Sequence, residues 1–246
     1  MIEQNLEIQT TDGACDGILF SADDTSRRPG VILLTDIGGI RPANRDLARR
    51  IAEQGYSVLI PNVFYRTGRP PMLDFKPTAG DERTVKRFAE LTGPLTPDAM
   101  ERDCGCYVDF LAAHKSVKGG EMGVVGYCFT GAMAMRMAAT RPEKIAAAAS
   151  FHGGKLFTDT ETSPHIVLPR IKARLYFGHA IEDNSMPAEA IAKLNDALKA
   201  WGGKYESEVY DGARHSWTST DSPAYNRGQA ERAFDKLITL FADVLN

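Results

Sequence analysis

The chain has 246 residues, 43% of them hydrophobic and 25% charged, which is the balance of a globular protein with a substantial buried core. Its net charge of −3 and pI near 6.0 provide no basic surface for nucleic acid. The N-terminus has no signal-peptide segment and no apolar run approaches the roughly 20 residues that span a bilayer, so we expect a single cytoplasmic domain over residues 1–246 with no membrane partner.

The first half of the chain begins with a predicted β-hairpin and then alternates strands with helices. The hairpin strands are expected at residues 5–9 and 14–21, and later buried strands at 30–35 and 56–61. An amphipathic helix is predicted at 43–54, where Gly55 is a stop signal. Residues 63–96 are rich in Pro, Gly and charge and predict loops around a short helix at 81–91. Thr96 and Pro97 then begin a helix that continues to about residue 114.

The second half of the chain continues the alternation. Strands are predicted at 122–127, 145–151, 173–177 and 205–210, with a loop up to Pro169. Helices are predicted at 132–139, 187–201 and 223–245. This order predicts an α/β fold in which a mainly parallel central sheet carries helices on both faces. In such sheets the catalytic groups lie at the carboxyl ends of the strands.

A reactive side chain stands at the apex of a predicted tight turn in the segment from Met122 to Gly131. A small apolar strand runs directly into Cys128, and a helical pattern follows at once. Strand, sharp turn and helix are the sequence form of a nucleophile elbow, in which small neighbours prevent backbone clashes. We therefore predict that Cys128 is a nucleophile; the alternative is a buried structural thiol.

A cysteine nucleophile needs a base, and the base needs an acid that orients it. In the chain order of α/β-hydrolases the acid follows the nucleophile and the histidine comes last. Asp183 and His215 stand in that order, each in a loop after a predicted strand. Glu182 and Asp211 are the alternatives for the acid, and Asp183 could instead be a helix N-terminal carboxylate. The alternative for His215 is that it is a histidine in a surface loop.

The backbone N–H groups of Ile37 and Phe129 are predicted to form the oxyanion hole, because Ile37 follows a buried strand and Phe129 follows the nucleophile. His152 and His179 also follow buried strands, and we expect them to line the pocket or bond to the backbone. A metal pair would need a third ligand, and none stands at a recognisable spacing, so no metal or cofactor is predicted. The remaining cysteines are expected to be free, unreactive thiols: Cys15, Cys104 and Cys106.

With these residues the chain resembles the dienelactone hydrolase family, cysteine enzymes of the α/β-hydrolase fold. The resemblance covers nearly the whole chain and rests on four motifs: Gly126-Tyr127-Cys128, Gln54-Gly55-Tyr56 to Pro61, Asp183-x-x-Met186-Pro187, and Tyr210 to His215-Ser216-Trp217. It implies a triad of Cys128, Asp183 and His215 and an acyl thioester that water hydrolyses. It also makes Asp36 and Trp217 candidates for substrate binding or for modulation of the thiol, since family members carry a glutamate at the position of Asp36.

The chain departs from the family pattern at two further positions. Thr130 stands where the second glycine after the nucleophile is usual, and Ser219 stands where the family archetype has a carboxylate-binding arginine. The resemblance implies another substrate-binding arginine in the irregular region, with four unranked candidates: Arg66, Arg69, Arg83 and Arg87. The reaction therefore transfers to this chain better than the substrate does.

The main prediction is hydrolysis of a small carboxylic ester or lactone through an acyl-cysteine, by a monomer or small homo-oligomer. An acyltransferase with the same triad would pass the acyl group to an acceptor other than water. A protein without activity would use the hydrolase fold for binding, with Cys128 as a redox-sensitive thiol.

Overall fold

Eight strands form one continuous sheet in the computed structural model, which describes residues 1–245. In chain order they are β1 (Ile2–Thr10), β2 (Gly13–Ser21), β3 (Gly30–Leu34), β4 (Ser57–Pro61), β5 (Met122–Tyr127), β6 (Ile145–Phe151), β7 (Arg174–Glu182) and β8 (Tyr205–Arg214). Their order across the sheet is β1-β2-β4-β3-β5-β6-β7-β8. Only β1 with β2 and β2 with β4 pair antiparallel, so the prediction of a mainly parallel sheet is confirmed.

The helices lie where strand-to-strand crossovers require them. They are α1 (Pro42–Glu53), α2 (Glu82–Thr92), α3 (Pro97–Ala113), α4 (Thr130–Thr140), α5 (Ala188–Trp201) and α6 (Arg227–Val244), with a 3₁₀ helix at Pro164–Arg170. Side-chain caps define three of the starts, of which α2 and α3 are two. Asp81 accepts from the backbone N–H of Thr84, and Thr96 accepts from that of Ala99. Across residues 1–245 no helix has both the length and the apolar character that a membrane span requires.

Two hydrophobic cores lie on opposite faces of the sheet. Apolar residues of α3, α4 and α5 pack in one core, and those of α1 and α6 pack in the other. Neighbouring sheet residues alternate between them: Ile32 and Leu34 belong to the first core, and Val31 and Leu33 to the second. Both faces of β3 are therefore buried, which explains its uninterrupted apolar sequence. The helices cover both faces as predicted.

Several boundaries differ from the predictions, including that of β1, which begins at Ile2 rather than at residue 5. The strands β7 and β8 continue beyond residues 177 and 210 to Glu182 and Arg214, because their parallel hydrogen-bond ladder continues where the apolar pattern weakens. The last helix begins four residues later than predicted, where the Asn226 side chain accepts from the N–H of Gln229. The predicted loop before Pro169 contains the 3₁₀ helix. The longer strands place Asp183 and His215 directly at strand ends.

Candidate active site

Cys128 lies in the left-handed backbone region, at φ 60°, between β5 and α4. The turn depends on two glycines near Cys128, Gly126 and Gly131, that have no side chain. A Cβ on Gly126 would lie 2.2 Å from the carbonyl oxygen of Thr130, and one on Gly131 would lie 2.2 Å from Ser150 Oγ. Real Cβ atoms do not approach other atoms so closely. The segment thus has the sharp strand-to-helix geometry expected of a nucleophile elbow.

In the structure Cys128, His215 and Asp183 form one chain of hydrogen-bond contacts. His215 Nε2 lies 3.1 Å from Cys128 Sγ, and His215 Nδ1 lies 2.6 Å from Asp183 Oδ2. Because β7 and β8 are neighbours and parallel, the residues that follow them meet at one edge of the sheet. The two alternative acids, Glu182 and Asp211, are exposed.

Ser185 is a site residue that sequence reasoning missed. Its backbone N–H and its hydroxyl donate to Asp183 Oδ1 at 2.8 and 2.6 Å. These bonds occupy one carboxylate oxygen and direct the other to His215. The Asp-x-Ser spacing, typical of a side chain that bonds two residues on, was the available signal.

Hydrogen bonds oppose burial at both members of the acid–base pair. Burial would raise the pKa of Asp183, but the bonds from His215 and Ser185 outweigh it and lower the pKa. Burial would lower the pKa of His215, but its bonds with Asp183 and Cys128 and their charges raise it to about 10. The arrangement thus favours an imidazolium that faces the sulfur.

The backbone donors of Ile37 and Phe129 are both available. Over residues 1–245 neither N–H has a protein acceptor, although both residues are half-buried. Each stands beside the elbow: Phe129 directly follows Cys128, and Ile37 follows β3, the strand that pairs with β5. Free N–H groups beside a nucleophile can receive a developing oxyanion.

Asp36 does not lie as the resemblance implied. Its carboxylate bonds to Arg41, with Oδ1 2.6 Å from Nη1 and Oδ2 2.9 Å from Nη2, and Oδ1 also accepts from the N–H of Gly38. Among the described contacts there is none between this carboxylate and Cys128 Sγ. The shorter side chain is held by a neighbouring guanidinium, so the structure gives no support to thiol modulation by Asp36.

Arg41 was not among the candidate arginines, and it joins two loops at the site. Beyond Asp36, its guanidinium donates to Ser219 Oγ at 2.9 Å and to Asp221 at 2.7 Å. The four arginines considered from the sequence pair with other carboxylates: Arg66 with Asp12 and Asp103, Arg69 with Asp16, Arg83 with Asp74, and Arg87 with Glu90.

Trp217, a candidate for substrate binding or thiol modulation, is fully buried, so its place in the fold does not fit direct contact with substrate. Its ring packs edge-on against that of His152 at 5.2 Å and lies 4.9 Å from that of Tyr210. Trp217 therefore supports the site indirectly, by packing against His152. His152 itself accepts from the backbone N–H of Cys128. A bond to the backbone was one of the two roles expected for this residue.

A cavity of about 360 Å³ adjoins the imidazole of His215. Its lining includes Asp183 and Ser185 on one side and Pro223 and Ala224 on the other. Arg214 also lines it and takes part in none of the ion pairs found over residues 1–245. The cavity has room for a small organic molecule next to His215, and its lining does not include Cys128.

The fold and the cysteine–histidine–carboxylate line together define an α/β-hydrolase. The family model of the dienelactone hydrolase family matches residues 15–245, and the chain belongs to that family of hydrolases.

A named relative agrees with this assignment, and solved structures share the fold. A carboxymethylenebutenolidase from Rhodococcus opacus is 28% identical over 208 residues, which cover 81% of this chain and 74% of the relative. A Klebsiella pneumoniae protein described as a dienelactone hydrolase has a TM-score of 0.86 at 21% identity, covering 98% of both chains. A dienelactone hydrolase-like promiscuous phosphotriesterase from metagenomic libraries has a TM-score of 0.79 at 21% identity, covering 100% of both chains. At these identities the two structures are evidence for the fold alone.

Proposed function

We propose that the protein hydrolyses small carboxylic esters or lactones through an acyl-cysteine intermediate. Cys128 is the nucleophile, His215 the base and Asp183 the acid that orients it. The observation that carries the proposal is the continuous line from Cys128 Sγ through the imidazole to the buried carboxylate, with contacts of 3.1 and 2.6 Å. This is the geometry that activates a cysteine for acyl transfer.

The first half of the reaction forms the thioester. The Cys128 thiolate attacks the carbonyl carbon, and the carbonyl oxygen becomes an oxyanion that the N–H groups of Ile37 and Phe129 stabilise. The tetrahedral intermediate collapses as the C–O bond to the leaving group breaks. His215 gives its Nε2 proton to the departing oxygen. In a lactone that oxygen remains attached to the acyl chain.

The second half regenerates the enzyme. His215, now neutral, takes a proton from water, whose oxygen attacks the thioester carbon. Collapse breaks the C–S bond and releases a carboxylic acid and the thiolate, next to a protonated imidazole. Asp183 keeps its charge throughout and holds Nδ1–H, as the fixed ion pair partner of the imidazolium.

The proposed class of substrate is supported by the family and by a named relative. The Rhodococcus opacus relative is named for a lactone-opening reaction. We therefore propose lactones and short-chain esters as the first compounds to assay.

The test is to trap the intermediate. With an activated ester such as p-nitrophenyl acetate, the wild-type protein should release p-nitrophenol, and intact-protein mass spectrometry after acid quench should show acetylation on Cys128. The Cys128→Ala variant should lose both signals, while Cys106→Ala, a change at a half-buried cysteine outside the site, should keep both. Full hydrolysis by Cys128→Ala, free of contaminating esterase, would refute the proposal.

A further inference from the structure

We propose that His152 is a positioning residue, whose neutral imidazole fixes the backbone of Cys128 and ties it to the loop that carries His215. The proposal deepens the proposed function, since it concerns how the same nucleophile is held. His152 directly follows β6, the strand next to β5, so it stands beside the elbow. Its side chain is almost completely buried, at 1% exposure.

Both ring nitrogens of His152 are bonded. Nδ1 accepts from the backbone N–H of Cys128 at 3.0 Å, and Nε2 lies 2.8 Å from Thr218 Oγ1. The Cys128 N–H also lies 3.2 Å from the carbonyl oxygen of Phe151, which makes the bond three-centred. Thr218 is three residues beyond His215, so a single ring connects the elbow to the loop after β8.

These partners determine where the proton lies. A backbone N–H can only donate, so Nδ1 of His152 must carry a lone pair. The proton is therefore on Nε2 and is donated to Thr218 Oγ1. A second proton, on Nδ1, would face the N–H of Cys128 and break that contact. The ring performs this role only in its neutral form.

The surroundings of the ring keep it neutral. Burial lowers the pKa of His152 well below its usual range, and the positive charge of His215 lowers it further; the negative charge of Asp183 acts in the opposite direction. The His152 and His215 rings meet edge-on with centroids 5.1 Å apart. The site therefore holds one histidine that changes charge, His215, and one that does not.

The backbone explains why the nucleophile needs such an anchor. Cys128 has φ 60° and His152 has φ 42°, both in the left-handed region that side chains disfavour. The backbone N–H of His152 donates to the carbonyl oxygen of Gly178 at 2.8 Å, which ties His152 to β7. Through these bonds the strained turn at Cys128 is coupled to β7 and to the loop after β8, and the sulfur stays 3.1 Å from His215 Nε2.

Two variants of His152 test the role of Nδ1. Asn can place an amide oxygen where Nδ1 stands, whereas Leu removes the acceptor and keeps apolar bulk. We expect His152→Leu to lower kcat by up to about 100-fold with KM changed less than about threefold, because a misplaced nucleophile slows chemistry more than binding. His152→Asn should recover most of that loss.

A second pair of variants tests the link to Thr218 with little risk to folding, because that residue is only half-buried. Thr218→Val removes the acceptor for Nε2–H, and Thr218→Ser keeps it. We expect Thr218→Val to lower kcat by about three- to tenfold, as for the loss of one neutral hydrogen bond, and Thr218→Ser to recover it. If His152→Leu fails to fold, this pair decides the question.

The pH profile of Cys128 alkylation by iodoacetamide is the readout that a merely structural role would leave unchanged. Because the sulfur would no longer be held 3.1 Å from His215 Nε2, we expect alkylation across the profile to be slower in His152→Leu and Thr218→Val and close to wild type in His152→Asn and Thr218→Ser. The proposal would be overturned if His152→Leu and Thr218→Val fold and keep wild-type kcat and alkylation. It would also be overturned if His152→Asn and Thr218→Ser lost as much activity as His152→Leu and Thr218→Val. If ester hydrolysis is absent even in the wild-type protein, the proposed function fails, and alkylation alone still tests the position of the sulfur.

Discussion

The hydroxyl of Thr130 lies 3.1 Å from the carbonyl oxygen of Leu34, so the first turn of α4 is bonded directly to the last residue of β3. Thr130 Oγ1 also accepts from the backbone N–H of Tyr127 at 2.9 Å and lies 2.8 Å from the Tyr127 carbonyl oxygen. Thr130 is fully buried. The family usually has glycine here, and the turn accommodates the added side chain by giving its hydroxyl these backbone partners.

Substitution of Thr130 should therefore affect both stability and catalysis. Thr130→Val keeps the shape but leaves the N–H of Tyr127 without that acceptor, and we expect a loss of about 1–3 kcal/mol in the free energy of unfolding. We also expect lower kcat, because β3 leads into the loop that carries Ile37. Thr130→Ser keeps the hydroxyl, so its stability and kcat should lie between those of wild type and Thr130→Val. Urea unfolding and steady-state kinetics measure these effects, and a Thr130→Val protein equal to wild type in both would contradict them.

The charge of His215 should appear in the pH dependence of stability. The pKa of His215 is raised from 6.5 to about 10 in the folded protein, so its contribution is complete below about pH 6.5 and is lost as the pH rises through about 10. The pKa of Asp183 is lowered, so its contribution is present above about pH 4 and is lost as the pH falls through its folded value.

The measurement is urea unfolding of wild type and His215→Gln across this range. The difference in the free energy of unfolding should be largest near about pH 6 and should shrink toward about pH 10. Cys128→Ala should narrow the pH range over which His215 stabilises the protein, because it removes one of the two groups that raise the pKa of His215. A difference that grows with pH would show that the sign is wrong.

The proximity of the candidate triad could be predicted because it depends on topology. Cys128, Asp183 and His215 each follow a strand, and a parallel sheet brings its strand ends to one edge. The position of Arg41 could not be predicted in this way. It pairs with Asp221, far away in sequence, through the packing of two loops that carry no periodic pattern. The ends of β7 and β8 were missed for a related reason, since hydrogen-bonded ladders continue without an apolar signal.

The two oxygens of Asp183 should make unequal contributions to activity. Asp183→Asn removes the charge that stabilises the imidazolium and can reverse the preferred tautomer of His215, so we expect kcat to fall by about 1,000-fold or more. Ser185→Ala removes the hydroxyl bond to Oδ1 and the 3.4 Å contact of the hydroxyl with His215 Nδ1, while the backbone N–H bond remains, and we expect a fall of about two- to tenfold. Steady-state kinetics with an activated ester separates the two. Losses of similar size would show that Ser185 does more than orient the carboxylate.

Arg41 indicates which substrates the site disfavours. Every N–H of its guanidinium already has an acceptor: Asp36 and Asp221 supply carboxylate oxygens, and Asn44, Ser219 and the Gly39 carbonyl supply the rest. Two carboxylates surround one cation, so this cluster of Arg41, Asp36 and Asp221 carries a net negative charge. A substrate carboxylate placed here would find no free donor and would be repelled.

We therefore expect higher kcat/KM for p-nitrophenyl butyrate than for mono-p-nitrophenyl succinate, a similar acyl chain that ends in a carboxylate. Asp221→Asn removes one negative charge and loosens one partner of Arg41, so it should narrow the difference, mainly through a lower KM for the succinate. Arg214→Ala is the control, because this arginine lines the cavity beside His215 and takes part in none of the ion pairs found in the part of the chain described. If the wild type prefers the succinate and Arg214→Ala abolishes that preference, Arg214 and not Arg41 determines how the site treats charge.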